Sequence, residues 1–489
     1  MKEFLLILPE FCLALTLAFV VAGEITYSGE KIRLIAATAL LGLSGAFIQT
    51  VISYGYGPAQ LFGGVLSVDG FSLFFKLLFI ALGIIAILSV SRSQEIAPDR
   101  RTEYFALILA STLAMCLVAS VADMVLGFLS LLFMNVVSYF LAAYGQRSVR
   151  STEAALKFLA FGAVSNALLL YAFAILFAST HTLNIYEIHK ALILTPLSLP
   201  VMLVVFILCF MSLSFQMGTF PMYILVPDVL EGAPTPVSAF LSVGPRAAGF
   251  AFATRFLIIV FAQPSGVPGH WRVLGEVNWT EIVSVVSGLT MLIGSLLAFR
   301  QKGAKRLVSD LVVAESGFLL MGLLVLDEVG IAALLYNLVV QLFALTGTFY
   351  VLSFFYDELR SDRLSALQGM FRKAVPECIC LVIFLLCLVG SPPLPGFIGK
   401  FTLIGAAIRH QRFALAMVAI VSMVLSIAAV ARLSYHLIGH FRESSGSRVV
   451  ESSWRKMLLA SLVIPMVLVG VFANFVLGWA GQSLGFIFW

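Results

Sequence analysis

Several ionisable side chains lie inside long stretches of this sequence that are otherwise apolar. The candidates for a shared function are Arg246, Asp310, Glu315 and Lys400. A charged group at the centre of an apolar helix costs several kcal/mol on insertion into a bilayer, so such residues usually serve a function and have partners. We therefore expect an ion path through these positions.

Other charges in the apolar stretches have structural explanations as well. We expect Arg255 and Arg432 mainly to brace helix packing. Glu10, Lys76 and Lys157 lie within a few residues of predicted span ends, where snorkelling or a structural ion pair is as good an explanation as conduction.

Glycine and proline interrupt two of the long apolar stretches. Backbone groups freed at membrane depth cannot hydrogen-bond to lipid, so they must face protein or a water-filled cavity. Paired interruptions in two halves of a chain are typical of ion paths in transporters. Asp228, in the polar run after the first interruption, caps a turn or forms an ion pair. The interrupting residues are Gly218 and Pro221 in the first stretch, and Pro392, Pro393 and Pro395 in the second.

Composition places the chain among polytopic membrane proteins. Of its 489 residues 61% are hydrophobic and 11% charged, and its net charge is +5. There is no basic stripe with interleaved aromatics, so we expect no nucleic-acid partner. The six cysteines lack the spacing of a metal or iron–sulfur site, and no glycine-rich dinucleotide motif occurs. We therefore expect this chain to hold no cofactor.

Apolar windows of about 20 residues, the length that crosses the hydrocarbon core, predict fourteen transmembrane helices in an all-α fold. The predicted spans are 4–22, 33–53, 71–91, 104–121, 124–144, 155–178, 199–222, 236–262, 280–300, 306–326, 330–356, 378–408, 411–440 and 457–486.

Spans four to eight and nine to thirteen form two blocks of five, each with its interrupted helix in fourth place. Five crossings reverse the starting side, so the second block must be an inverted copy of the first. The predicted units are a three-helix segment at 1–100, a first repeat at 101–262, a second repeat at 280–440 and a last helix within 441–489.

Basic residues concentrate in the loops after odd-numbered spans, beginning at Arg92, Arg147, Arg300, Arg360 and Arg442. Cytoplasmic loops carry the excess of Lys and Arg. The odd loops are therefore predicted to be cytoplasmic, which places both termini on the opposite side.

The polar run after the first interruption resembles a known family. PDVLEGAPTPVSAFL at 227–241 closely resembles the PDVYEGAPTPVTAFL motif of the N-type antiporter-like subunit of respiratory complex I. VDGF at 68–71, STEAALKF at 151–158, KRL at 305–307 and GFIGKF at 396–401 agree with it. The resemblance covers the whole chain. It implies a fourteen-helix fold, membership of a proton-pumping NADH:quinone oxidoreductase, and a water-filled axis of charged residues that relays protons.

Compared with that family, the first repeat has lost its titrating pair. Leu132 stands at the position of the key glutamate of span five, Gln216 replaces the lysine of span seven, and Tyr223 replaces a nearby histidine. Leucine and an amide cannot exchange protons near neutral pH. Water beside Leu132 would also lack polar partners. We expect a dry gap between the cytoplasmic side and Gln216, and an inactive or strongly modified first half-channel.

The second repeat keeps ionisable groups at the corresponding positions. Lys400 matches the family's lysine of span twelve, and Arg246 replaces the lysine of span eight. Glu315 stands at the usual histidine of span ten, with Asp310 where a tyrosine is usual. We expect Arg246, Glu315 and Lys400 to form a charge chain.

Three functions follow as hypotheses. The first is proton translocation in a complex I-type enzyme whose NADH, FMN, iron–sulfur clusters and quinone are bound by partner subunits. The second is a non-conducting scaffold in such a complex. The third is a subunit of a related cation/proton antiporter or membrane hydrogenase. The resemblance implies M-type and K-type neighbours, surrounding lipid and a location in the bacterial inner membrane with periplasmic termini.

Overall fold

The computed structural model describes residues 2–27, 32–144, 149–267, 269–275, 277–439 and 453–484. Within these ranges helices dominate, and thirteen of them are long and apolar enough to cross a membrane. A shorter apolar helix, Val375–Val389, accompanies them. The predicted all-α polytopic fold is confirmed, whereas the exact count of fourteen crossings stays a prediction.

The described elements are helices, with two short β-hairpins between them. They are α1 (Lys2–Tyr27), α2 (Ile32–Ser53), β1 (Ala59–Leu61), β2 (Leu66–Val68), α3 (Gly70–Arg92), α4 (Arg101–Ala119), α5 (Met124–Ala143), α6 (Val149–Thr180), α7 (Ile185–Leu194), α8 (Leu199–Met217), α9 (Leu225–Gly232), α10 (Thr235–Phe261), β3 (Ala262–Pro264), β4 (Trp271–Val273), α11 (Trp279–Arg300), α12 (Ala304–Leu324), α13 (Glu328–Leu359), α14 (Met370–Lys373), α15 (Val375–Val389), α16 (Pro395–Arg409), α17 (Phe413–Ile438), α18 (Ser453–Val471) and α19 (Ala473–Leu484).

Both predicted interruptions are helix ends of the same kind. Helix α8 ends at Gly218 (φ 67°) and α15 ends at Gly390 (φ 83°), each in the left-handed conformation. The Thr219 amide donates to the carbonyl of Ser214, and the Ser391 amide donates to that of Leu386. This is the Schellman pattern, which favours glycine because a Cβ is strained there. Proline follows each glycine and prevents the helix from continuing.

Three helices form the centre of the bundle. The apolar windows of α10 and α12 are completely buried, and that of α13 is 83% buried. A helix that is apolar on all sides is stable only when other helices surround it. These three helices carry Arg246, Glu315 and Gln341, so these side chains lie in the interior of the protein.

Some details differ from the sequence-based expectation. The last predicted span divides into α18 and α19 next to Phe472, and two antiparallel hairpins, β1 with β2 and β3 with β4, were not predicted. The loop residues Arg147 and Arg442 and the end of the last predicted span, 485–486, lie outside the described ranges. The limits of the two repeats stay predictions.

Candidate functional site

A continuous chain of polar contacts joins α10 to α16 through the centre of the bundle. Arg246 Nη2 donates to Gln341 Oε1 at 2.5 Å. Gln341 Nε2 donates to Glu315 Oε2 at 3.2 Å, and Lys400 Nζ contacts Glu315 Oε1 at 2.5 Å. All four side chains are at most 4% exposed. The structure thus brings together the three predicted charges and one residue that was not predicted.

Small residues set the distances between the helices that carry this chain. A Cβ on Gly399 would lie 2.5 Å from Asn337 Oδ1, so α16 crosses α13 with almost no gap. Asn337 precedes Gln341 by one helical turn and therefore shares its face. This close crossing places Lys400 beside the face of α13 that carries Gln341.

Further contacts hold the two cations at the ends of the chain. Arg246 Nη1 donates to the carbonyl oxygen of Val312 at 2.9 Å and to Ser316 Oγ at 3.4 Å. Lys400 Nζ lies 4.4 Å from the centre of the Phe318 ring, a cation–π geometry. The ring and the carbonyl partly replace the water that each cation has lost.

The four side chains of this hydrogen-bonded chain differ in whether they can exchange protons. Glu315 is its only acid and lies between two cations, so a buried carboxylate is compensated on both sides. Lys400 and Glu315 can exchange a proton, whereas the arginine keeps its charge and the amide keeps its protons. The arrangement therefore combines a titratable pair with a fixed positive charge.

The first interruption lies next to the arginine end of this chain. Gln216 is buried and lines a cavity of about 60 Å³ together with Asn135 and Arg246. A Cβ on Gly249 would lie 2.7 Å from Gln216 Cβ, so α8 and α10 touch here. A cavity of this size has room for at least one water molecule, and the amide of Gln216 supplies a polar wall.

The other two first-repeat positions, Leu132 and Tyr223, do not line this cavity. Leu132 is half-buried on α5. Asn135, one turn further along, does line the cavity, and its Nδ2 donates to Asn166 Oδ1 at 3.3 Å. Tyr223 lies in the short turn after Pro221, and its ring packs on Phe220. The structure brings neither Leu132 nor Tyr223 into the charge chain.

Two predicted acids have separate surroundings. Asp310 is buried on α12, and its Oδ2 has no hydrogen-bond partner among the described residues; it does not join the charge chain. Asp228 forms ion pairs with Lys157 at 3.0 Å and Arg306 at 3.2 Å, where α9 meets α6 and α12. Of the two explanations left open for Asp228, the ion pair is the one observed.

The two arginines expected to brace helices make such contacts. Arg255 forms a bidentate ion pair with Asp69, with both N···O distances 2.8 Å, and the pair is at most 2% exposed. Asp69 also accepts from the Ser72 amide and so caps α3. Arg432 donates to the backbone carbonyls of Phe299 and Gln301 at the end of α11.

A further buried ion pair joins the N-terminal helices. Lys76 Nζ lies 2.6 Å from Glu10 Oε1, and the lysine is fully buried. Of the explanations considered for these two residues, a structural ion pair matches the contact.

Sequence reasoning missed two residues that complete these contacts. Gln341 carries no charge, so a search for ionisable groups passes over it, although a glutamine within an apolar span is itself unusual. Asp69 stands in the motif VDGF, and its position directly before α3 is a detectable capping signal.

Comparisons with known proteins agree with this architecture. Residues 120–426 match a family model described as NADH:quinone oxidoreductase/Mrp antiporter, TM. A NADH-quinone oxidoreductase subunit N 2 from Chloroherpeton thalassium is 33% identical over 471 residues, which is 95% of this chain and 90% of the relative. An NAD(P)H-quinone oxidoreductase subunit 2 from Thermosynechococcus vestitus is 33% identical over 96% of this chain and 90% of its own length.

Solved structures show the same fold. A chain of respiratory complex I from Thermus thermophilus has a TM-score of 0.79 and 26% identity, covering 97% of this chain and 99% of its own. A chain of the Mrp complex from Dietzia sp. has a TM-score of 0.84 at 17% identity, covering 99% and 96% of the two chains, which supports the fold alone. The protein therefore belongs to the NADH:quinone oxidoreductase/Mrp antiporter family, as an N-type antiporter-like membrane subunit of complex I.

Proposed function

We propose that this chain is a non-redox, proton-translocating subunit whose proton path passes through the second repeat. The observation that carries the proposal is the hydrogen-bonded chain from Arg246 through Gln341 and Glu315 to Lys400. It joins the second interrupted helix to the middle of the bundle, and within it Glu315 and Lys400 are the two groups that can exchange protons.

The pair of Lys400 and Glu315 is the switch in this proposal. While the carboxylate contacts Lys400, it stabilises the ammonium form and the proton stays bound. Movement of the carboxylate toward Arg246 removes that stabilisation, and Lys400 releases its proton. Return of the carboxylate favours uptake of the next one. A conformational change in the quinone-reducing part of the complex would supply the driving force.

The test replaces the buried lysine and compares it with an exposed one. Lys157→Ala is the matched control, because Lys157 is 43% exposed and Lys400 is 1% exposed. In vesicles containing the whole complex, Lys400→Ala should lower the number of protons moved per electron far more than the control. Equal effects of the two variants would contradict a path through the second repeat, and an unchanged ratio in both would favour the scaffold function.

We further propose that the first half-channel does not conduct. Leu132 is apolar, and Gln216 offers an amide that hydrogen-bonds water without exchanging protons. Gln216→Ala should therefore leave the ratio of protons to electrons nearly unchanged. A lower ratio in that variant, or an ordered file of water from the cytoplasmic face past Leu132 to Gln216 in a high-resolution map, would show conduction.

Introducing charges at Leu132 and Gln216 is a second test of the first half-channel. Leu132→Glu alone places an uncompensated carboxylate in the bundle, which costs several kcal/mol. The double variant Leu132→Glu with Gln216→Lys should assemble into the complex better than either single variant. Lower assembly of the double variant than of both singles would show that the two side chains do not pair.

The remaining parts of the proposal concern partners and location. We propose that NADH, FMN, iron–sulfur clusters and quinone are bound by partner subunits, that M-type and K-type subunits are the neighbours, and that the chain resides in a bacterial inner membrane. The excess of basic residues in odd-numbered loops supports periplasmic termini. A phosphatase that is active only in the periplasm should be active when it is fused to either terminus. Inactive fusions would show that the termini lie on the cytoplasmic side.

A further inference from the structure

Three side chains with metal-binding atoms meet at one end of the bundle, away from the charge chain. They are His270 in the loop before β4, Asp327 before α13, and His410 after α16. One nitrogen or oxygen from each lies within 4.8 Å of those of the other two. We propose that these three residues form a binding site for a divalent transition-metal ion of the zinc class.

The backbone holds each of the three residues in place. The Glu328 amide donates to the Gly269 carbonyl at 2.8 Å, and the Trp271 amide donates to the Leu326 carbonyl at 2.9 Å. These bonds fasten the hairpin of His270 to the segment of Asp327. His410 is fixed by its amide, which donates to the Ala406 carbonyl at the end of α16.

Asp327 is oriented for binding by its second oxygen. Its Oδ1 accepts from the Val329 and Gly330 amides and so caps α13. Its Oδ2 faces His410 Nε2 at 3.2 Å. A carboxylate held in this way by amide donors behaves like the ligands of known metal sites, whose remaining atoms are usually hydrogen-bonded.

The distances and atom types fit zinc better than calcium or magnesium. Ligand atoms about 2.1 Å from a tetrahedral zinc ion lie roughly 3.4 Å apart, close to the separation already present between Asp327 and His410. Because the His270 atom lies within 4.8 Å of the other two, it must shift by at most about 1.4 Å to reach this separation, and its partial exposure to solvent allows this. Two imidazoles and one carboxylate suit zinc, whereas calcium and magnesium prefer oxygen atoms alone. A water molecule would complete the tetrahedron.

The charges near the three residues are mixed. Arg409 directly precedes His410 and Arg272 lies two residues after His270. Arg412 lies two residues beyond His410 and is ion-paired with Glu281. Glu328, next to Asp327, adds a negative charge close to Gly269, so the proposal depends on the ligand atoms and not on the net charge.

Metal binding would fasten together the ends of three helices that carry the charge chain. The hairpin with His270 continues α10, Asp327 begins α13, and His410 follows α16, about ten residues or roughly 15 Å from Lys400. Zinc binding does not depend on the proposed proton path, so it is measured as bound metal and not as pumping.

The experiment measures zinc uptake by the purified whole complex after equilibrium dialysis against radioactive Zn²⁺. The variants are Asp327→Asn, which keeps a residue that caps helices well, and His270→Gln, at a partly exposed position. The control is His181→Asn, because His181 is an exposed histidine in another loop. The parent complex and the control should bind one more zinc ion than either variant, or bind it at least tenfold more tightly.

A thermal measurement adds a second readout. Zinc should raise the unfolding temperature of the parent complex and of the control more than that of His270→Gln. If the complex with Asp327→Asn fails to assemble, the zinc stoichiometry and affinity of the His270→Gln complex alone test the proposal. Equal zinc stoichiometry and affinity in the parent complex and His270→Gln overturn the proposal, and so does the absence of any zinc binding that depends on His270.

Discussion

Replacing Glu315 by glutamine tests how strongly the charge chain depends on its single acid. The substitution keeps the shape and one hydrogen-bonding oxygen but removes the negative charge between Lys400 and Arg246. Because both Glu315 and Lys400 are at most 2% exposed, water cannot screen the uncompensated cations. We therefore expect a large loss of stability from an almost isosteric change.

The magnitude follows from the typical cost of such a change. Removing one partner of a buried ion pair costs about 3–5 kcal/mol. At about 1.4 kcal/mol per factor of ten, the open population should rise by roughly 10²-fold or more.

Cysteine labelling measures this population at the site. Cys387 is buried on α15 and its carbonyl accepts from the Gly390 amide, so maleimide reaches it only when the second interruption opens. Peptide mass spectrometry should show its labelling rate rising by about two orders of magnitude in Glu315→Gln. Buried Cys116 on α4 serves as the internal control and should change much less if the opening is local.

A double variant supplies the decisive comparison. Glu315→Gln with Lys400→Met removes both charges, so it should label at Cys387 more slowly than Glu315→Gln alone. The reasoning fails if Glu315→Gln labels at the parent rate, or if the double variant labels faster than both single variants. The first result would mean that the pair does not stabilise the buried site, and the second that packing and not charge dominates.

Two further predictions concern local geometry. Gly390→Ala should cost about 1–2 kcal/mol because the backbone of Gly390 is left-handed. It should also displace Lys400, whose Cδ would lie 2.8 Å from the new Cβ. The control Gly405→Ala, with open space around its Cβ, should have little effect on the unfolding temperature of the complex. Asp69→Asn keeps a cap on its helix but loses a buried arginine partner, so it should lower the unfolding temperature more than Asp123→Asn, which affects a cap alone.

Local sequence signals predicted the parts of the fold that depend on local chemistry. The first helix end lies at the predicted Gly218, and the second lies at Gly390, two residues before the predicted Pro392. Both could be located because few residues other than glycine adopt a left-handed helix end followed by proline. The all-α membrane architecture followed from hydropathy alone. The division of the last span near Phe472 was missed, although Gly470 lies two residues before it, because the sequence stays apolar on both sides.

Contacts between distant residues were harder to predict. Ranking charges by depth selected Arg246, Glu315 and Lys400, but it also selected Asp310, which lies apart from them. The difference depends on the rotation of α12 and on close crossings such as that of Gly399 with Asn337. Such crossings arise from packing along whole helices, and a single sequence does not reveal which small residue meets which neighbour.

Gln341 has a more specific part in the proposed switch than a passive hydrogen-bonding residue. Its Oε1 accepts from Arg246 and its Nε2 donates to Glu315, so the amide stands between the two opposite charges. In the proposed switch, a direct contact between Glu315 and the arginine requires this amide to give up both hydrogen bonds. The carboxylate thus has two proposed positions, one against Lys400 and one against Arg246, with the amide between them. A conformational change elsewhere in the complex would then act by moving this neutral spacer.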